Sequence, residues 1–180
     1  MRKDEWAAAI ATGRLRHKRD WPGNVVGLLT VSVGWIAWLF LLFQRNGEIG
    51  NRLGLFCLAA GSLPLYAVYC LRQENRLTPI ESKAGADANR KLVVAAFQAL
   101  GWTTYVDTAT VVTAGATNKS WIGAGQTATA LLDQNMIYLN VIHGSAQKGR
   151  LPFYFGSNQR KLKQLLTTIQ TLQVSPEHQH

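Results

Sequence analysis

Few side chains in this sequence could hold a metal or move a proton, and the aspartates come first among them. Asp107 and Asp133 could supply carboxylates to Mg²⁺ for phosphodiester hydrolysis. That chemistry also wants a Glu or Gln, one residue, then Lys downstream, where the lysine stabilises developing charge. We read no such lysine pattern after either aspartate, and Asp133, in "DQN", suits a turn. "HGSAQKG" puts His143 near Ser145, but a nucleophile needs a base oriented by a third group and an oxyanion hole, so this stretch reads as a solvated loop. "GAGQ" at Gly123 to Gln126 is short for a dinucleotide fingerprint and precedes a strand rather than a helix; it reads as a bulge or a point of close packing. Cys57 and Cys70 fall inside an apolar run and read as small packing residues, not as a disulfide or metal pair. No catalytic residue, metal ligand or cofactor is assigned.

The elements that would carry such residues begin with "NVVGLLTVSVGWIAWLFLLF", Asn24 to Phe43, which contains no charge. At ~1.5 Å per residue, about 20 apolar residues cross the ~30 Å hydrocarbon core of a bilayer. Leu28, Leu29, Val33, Ile36, Leu39 and Phe40 leave no polar side, and Thr30 and Ser32 can return hydrogen bonds to the helix's own carbonyls. A second charge-free run follows, "LGLFCLAAGSLPLYAVYCL", Leu53 to Leu71. Its Gly54, Gly61, Ser62 and Pro64 would weaken a soluble helix but are tolerated where membrane helices approach closely. The pair predicts a transmembrane helical hairpin. A cleaved signal peptide fits poorly, because the first run exceeds the ~7–15 residues of an h-region and a second follows closely.

Basic residues orient the hairpin. Arg2, Lys3, Arg14, Arg16, Lys18 and Arg19 precede it, Arg72, Arg76, Lys83, Arg90 and Lys91 follow it, and the loop between the runs has Arg45 and Arg52. Positive flanks stay inside, which predicts a protein integral to the cell membrane with both termini cytoplasmic. Trp21, Arg19, Arg45 and Arg72 are the expected membrane-interface anchors. Much of the net charge of +9 sits beside the spans, so the bilayer is the expected partner and no specific nucleic acid is expected. The expected division is 1–22 as a basic cytoplasmic N-terminal segment and 23–71 as the hairpin, with spans 24–43 and 53–71. A linker at 72–85, a cytoplasmic α+β domain at 86–173 and a disordered tail at 174–180 follow. The N-terminal segment could form a short helix with Trp6, Ala7, Ile10 and Leu15 on one side, lying on the membrane or frayed.

In the domain, "DANRKLVVAAFQALG" has Asp87 as a candidate N-cap, Gly101 as a stop, and Leu92, Val93, Ala96, Phe97 and Leu100 on one face. "WTTYVDTATVVTAG" favours two short strands, "WIGAGQTATALL" leads through "DQN" into "MIYLNVI" as a hairpin, and "LPFYF" is a possible edge strand. A last helix starts at Ser157 or Asn158, with Leu162, Leu165, Leu166, Ile169 and Leu172 as its buried stripe. The fold class is α+β: a two-helix transmembrane hairpin, then a small antiparallel sheet flanked by two helices in the order α-β-β-β-β-α.

A helix followed by "LGWTTYVDT" resembles the opening of membrane-tethered restriction-endonuclease-like domains. The chain also resembles a loose group of uncharacterised bacterial membrane proteins, in which two N-terminal spans precede a small cytoplasmic α+β domain. The residues that carry this are Ser120, Trp121 and Gly123, then Asn140, then "FGSN" at Phe155 to Asn158. It implies architecture and no activity. In "MIYLNVI", Ile137, Leu139 and Val141 suit the helix-covered core, which leaves Met136, Tyr138, Asn140 and Ile142 as a candidate partner-binding face. The functional expectation is a membrane-anchored, non-enzymatic protein whose domain binds a protein partner or a second copy of itself. The alternatives are a membrane-tethered enzyme or nuclease-like effector, or an accessory subunit of a membrane complex acting through its hairpin.

Overall fold

The computed structural model describes residues 3–15, 21–45, 53–82, 84–116, 125–143 and 156–174. In chain order the elements are α1 (Lys3–Thr12), α2 (Trp21–Arg45), α3 (Leu53–Glu74), β1 (Thr78–Glu81), α4 (Ala86–Ala99), β2 (Thr103–Asp107), β3 (Val111–Ala116), β4 (Gln126–Leu132), β5 (Met136–His143) and α5 (Ser157–Val174). Among the described residues the protein is therefore α+β, with five helices and a five-stranded antiparallel sheet ordered β1-β5-β4-β3-β2. The chain forms two compact units, one of residues 18–73 and 146–153, the other of 1–17, 74–145 and 154–180.

In the first unit α2 and α3 are long and apolar enough to cross a membrane. Most of their large apolar side chains are exposed, Leu58 at 74% and Leu65 at 71%, as expected of helices whose solvent is lipid rather than water. The two helices hold each other by few but specific contacts. The Trp35 indole N–H donates to the Ala59 carbonyl at 2.9 Å, and the Phe43 and Phe56 rings meet edge to face at 5.6 Å. Thr30 and Ser62 donate to carbonyls of their own helices, at 2.9 and 2.7 Å, whereas the Ser32 hydroxyl, expected to do the same, is buried without a hydrogen-bond partner.

In the second unit one face of the sheet carries Ile80, Val112, Ala114, Ala116, Ala128, Ala130, Leu132, Ile137, Leu139 and Val141, and packs against α4 and α5. The alanines along β3 and β4 let the helices settle close to the backbone. From α4 come Leu92, Val93, Ala96 and Phe97, and from α5 Leu165 and Ile169. The predicted stop at Gly101 is present and closes α4 tightly. Gly101 takes φ +67°, its N–H donates to the Gln98 carbonyl at 2.9 Å, and the Trp102 N–H donates to the Phe97 carbonyl at 2.8 Å. This is a Schellman closure, and its apolar clasp is Trp102 stacked on Phe97 at 5.6 Å. At the other end Asp87 is not the cap: Gly85 is, with no side-chain cap bond, and Asp87 lies in the first turn where its charge suits the helix dipole.

Two features depart from the sequence reading. The expected linker 72–85 contains β1, paired with β5 from Thr78↔Leu139 to Glu81↔Met136, and Pro79 is accommodated because β1 is an edge. The N-terminal segment belongs with the α+β unit: Trp6, Ala9, Ile10 and Leu15 cluster with Leu77, Val111, Leu131 and Tyr138 on the sheet's other face. The compact unit thus starts well before residue 86. The possible strand "LPFYF" lies outside the described residues.

A buried polar network locks the β4–β5 hairpin to α4. Asn89, fully buried in the apolar stripe of α4, is hydrogen-bonded through its Oδ1 to the Ser82 hydroxyl, and its Nδ2 donates to the carbonyls of Asp133 and Gln134 at 3.2 and 3.4 Å. The Ser82 N–H donates to the Asn135 carbonyl at 2.8 Å. Replacing Asn89 by Leu strands these partners, and a cost of about 2–3 kcal/mol is expected in denaturant unfolding of the full-length chain in neutral detergent. Arg90→Gln, on the exposed side of the same helix, should cost less than about 1 kcal/mol.

Candidate functional site

The expected binding face of β5 is largely occupied by the chain itself. Asn140 is buried, and its Nδ2 donates to the Glu74 carbonyl at 2.6 Å and the Arg76 carbonyl at 3.0 Å. Ile142 is buried as well, while Tyr138 packs beside the α1 cluster and, like Met136, is half-buried. The open part of this face has moved toward β2, β3 and β4. Thr113 stands opposite Thr129 and Gly115 opposite Thr127, all half-buried, with Tyr105 57% exposed beyond them. A side chain at Gly115 would run into the Tyr105 ring, so the glycine lets that ring lie across the strand. The sequence signal for the closure is the apolar side of residues 3–15, expected on the membrane or frayed, which packs on the sheet instead.

The carboxylates have structural partners. Arg90 forks Asp107, Nε to Oδ1 at 2.6 Å and Nη2 to Oδ2 at 2.8 Å, across the start of α4 and the end of β2. That guanidinium, hydrogen-bonded to the carboxylate, holds Asp107 below the usual aspartate range and raises the arginine in turn. Asp133 closes the hairpin: its Oδ1 accepts from the Gln134 N–H at 2.8 Å and its own N–H donates to the Met136 carbonyl at 2.9 Å. Sequence reasoning passed over Gln159-Arg160-Lys161, which does follow both aspartates. It lies at the start of α5 rather than on a strand beside them, and Lys161 Nζ donates to Gln164 at 3.3 Å. Among the described residues no three His, Cys, Asp or Glu side chains gather in one place. His143 ends β5, while Ser145 and the residues 120–123 and 155 lie outside the described residues.

Of the residues expected as membrane-interface anchors, Trp21 and Arg45 are the two ends of α2, Arg72 is exposed in the last turn of α3, and Arg19 lies outside the described residues. On the helix-covered side of the sheet, α5 and the C-terminal end of α4 border an open groove of about 640 Å³. Its lining is largely apolar or threonine, with two cations, Arg160 and Lys163, at one end.

No protein-family model matches the chain, and no curated protein matches it.

The Arg90–Asp107 pair is exposed, so its stabilisation is small and screened by salt. Because the folded aspartate pKa is lowered, the contribution is present above the unfolded pKa of about 3.9 and is lost as pH falls through the folded value. The Tm difference between the protein and Asp107→Asn should therefore close as pH is lowered below that of a free aspartate, and also in high salt at neutral pH.

Proposed function

We propose that this protein is a membrane-anchored binding module: α2 and α3 span the bilayer, and the α+β unit, held on the cytoplasmic side, binds a protein partner instead of catalysing a reaction. The observation that carries this reading is the pairing of the two segments that flank the helical hairpin. Leu15 N–H donates to the Asn75 carbonyl at 2.8 Å and Leu77 N–H to the Gly13 carbonyl at 2.9 Å, forming an antiparallel bridge between Arg14 and Arg76. A chain that leaves a folded unit after residue 17 and rejoins it at residue 74 must cross the membrane an even number of times in between. Two spans meet that condition, and the basic residues on both outer flanks favour the cytoplasm for the unit.

The binding role is supported by what the fold leaves open. The core is closed by α4 and α5 on one face and by α1 on part of the other, yet Tyr105, Val106 and the half-buried Met136 and Tyr138 remain accessible on the sheet, and the α4–α5 groove remains accessible on the helices. Asp107 and Asp133, the two carboxylates best placed by sequence for metal chemistry, instead hold an ion pair and a turn.

Reporter fusions at Gly47 and at the C-terminus should give opposite signals, and the chain should resist alkaline extraction from membranes. Photo-reactive residues placed singly at Met136, Tyr105 and Thr167 of the full-length chain in membranes should yield a discrete protein adduct from at least one position. Release by alkali would reject the anchor, and the lack of any protein adduct would reject the binding role.

A further inference from the structure

The groove beside α5 has a built-in polarity. Arg160, Lys163, Thr167 and Thr171 follow one another at three- and four-residue spacing, so they run in a line of ~16 Å along the helix. Leu172 stands at the far end of that line, Leu100 borders the groove from the end of α4, and Arg160 and Lys163 are exposed at the near end. Among the described residues no acidic side chain lines the groove, and α5 contains none.

The placement of those cations works against the helix that bears them. Arg160 stands in the first turn of α5, where the partial positive charge of the helix end disfavours a cation, Lys161 and Lys163 follow in the second turn, and the last turn, which would welcome cations, has none. The first turn also lacks the acidic residue that usually offsets this. A charge arrangement that costs the fold, next to an open apolar groove, is what a surface selected for an anionic partner looks like.

From the groove's shape and charge we infer that it docks an amphipathic helix of a partner protein, with the partner's apolar stripe against Leu100, Leu172 and the threonine methyls and its carboxylates against Arg160 and Lys163. This rests on the binding role proposed above and names its surface. A row of α5 side chains with cations at one end and apolar or threonine side chains along the rest is complementary to a helix whose apolar stripe is flanked by carboxylates.

The test uses the full-length chain in neutral detergent and two fluorescent helical peptides of about 18 residues with the same leucine stripe, one with Glu and the other with Lys on the flanks. Anisotropy should show saturable binding of the Glu peptide, at least about tenfold tighter than the Lys peptide and weakened by salt. The double variant Arg160→Glu with Lys163→Glu should lose at least about tenfold for the Glu peptide and gain for the Lys peptide, a reversal that an unfolded variant could not produce. Equal binding of both peptides, or binding unchanged in the variant, overturns the proposal. So does a variant that loses binding only to short-chain phosphatidylglycerol titrated into the micelles, or loses only self-association, since the occupant is then a lipid headgroup or a second copy. If the protein adduct of the photo-crosslinking experiment persists undiminished in the double variant, the binding role stands and this surface for it falls.

Discussion

The short antiparallel bridge between residues 13–15 and 75–77, seated on the Asn140 amide, is the constraint on which the α+β unit depends. It aligns the chain leaving α3 along β5, so that Thr78 to Glu81 continue directly as the edge strand β1. From the other side it returns α1 onto the sheet, where Ala9 and Leu15 are buried against Leu77 and Leu131. Asn140 donates to two backbone carbonyls at a site where water is largely excluded. A long apolar insertion between residues 15 and 75 is thereby clamped at both of its ends, and closing a loop of that length costs little more entropy than closing a much shorter one.

The two faces of the sheet are stabilised differently. The helix-covered face is a mainly apolar layer, built from alanines on β3 and β4 and from larger side chains on β5, and the buried Asn89 of α4 ties it to the hairpin turn. A fully apolar residue there would pack but would leave the hairpin turn free to slide against α4, so the polar network contributes uniqueness as well as energy. The opposite face is only partly closed, by one short helix and a crossing strand segment. Its remainder is a surface of threonine, glycine and tyrosine, in which β-favouring side chains stay half in solvent.

Function is read from where local rules give way. Most of the unit obeys them: Gly101 supplies the left-handed residue that the end of α4 requires, Pro79 sits on an edge strand, and Asp87 sits at a positive helix end. The basic start of α5 is the departure. It carries one cation in the first turn, where the backbone field opposes it, and two more in the second, beside a groove with no acidic side chain among the described residues. The proposed occupant would supply both the missing charge and the missing apolar cover.

The sequence by itself determined the local elements. A charge-free run of twenty residues can only be a helix in lipid or in a deep core, and the 3.6-residue stripes of α4 and α5 and the alternation of β5 set their buried sides before any neighbour is known. The β4–β5 hairpin was legible for the same reason: both strands and the turn between them are contiguous. Tertiary structure decided what depends on residues far apart in the chain. β1 is four residues with a proline and no periodicity, and becomes a strand only because β5 offers it a partner. The apolar side of α1 is too thin to declare its target, and the sheet claims it through residues more than a hundred positions away. Alternation correctly put Met136, Tyr138, Asn140 and Ile142 on one side of β5, but whether that side is covered is settled by chain entering from the far side of the helical hairpin. The groove was equally hidden, because α4 and α5 are separated in sequence by four of the five strands and become neighbours only when both bury their stripes on the sheet.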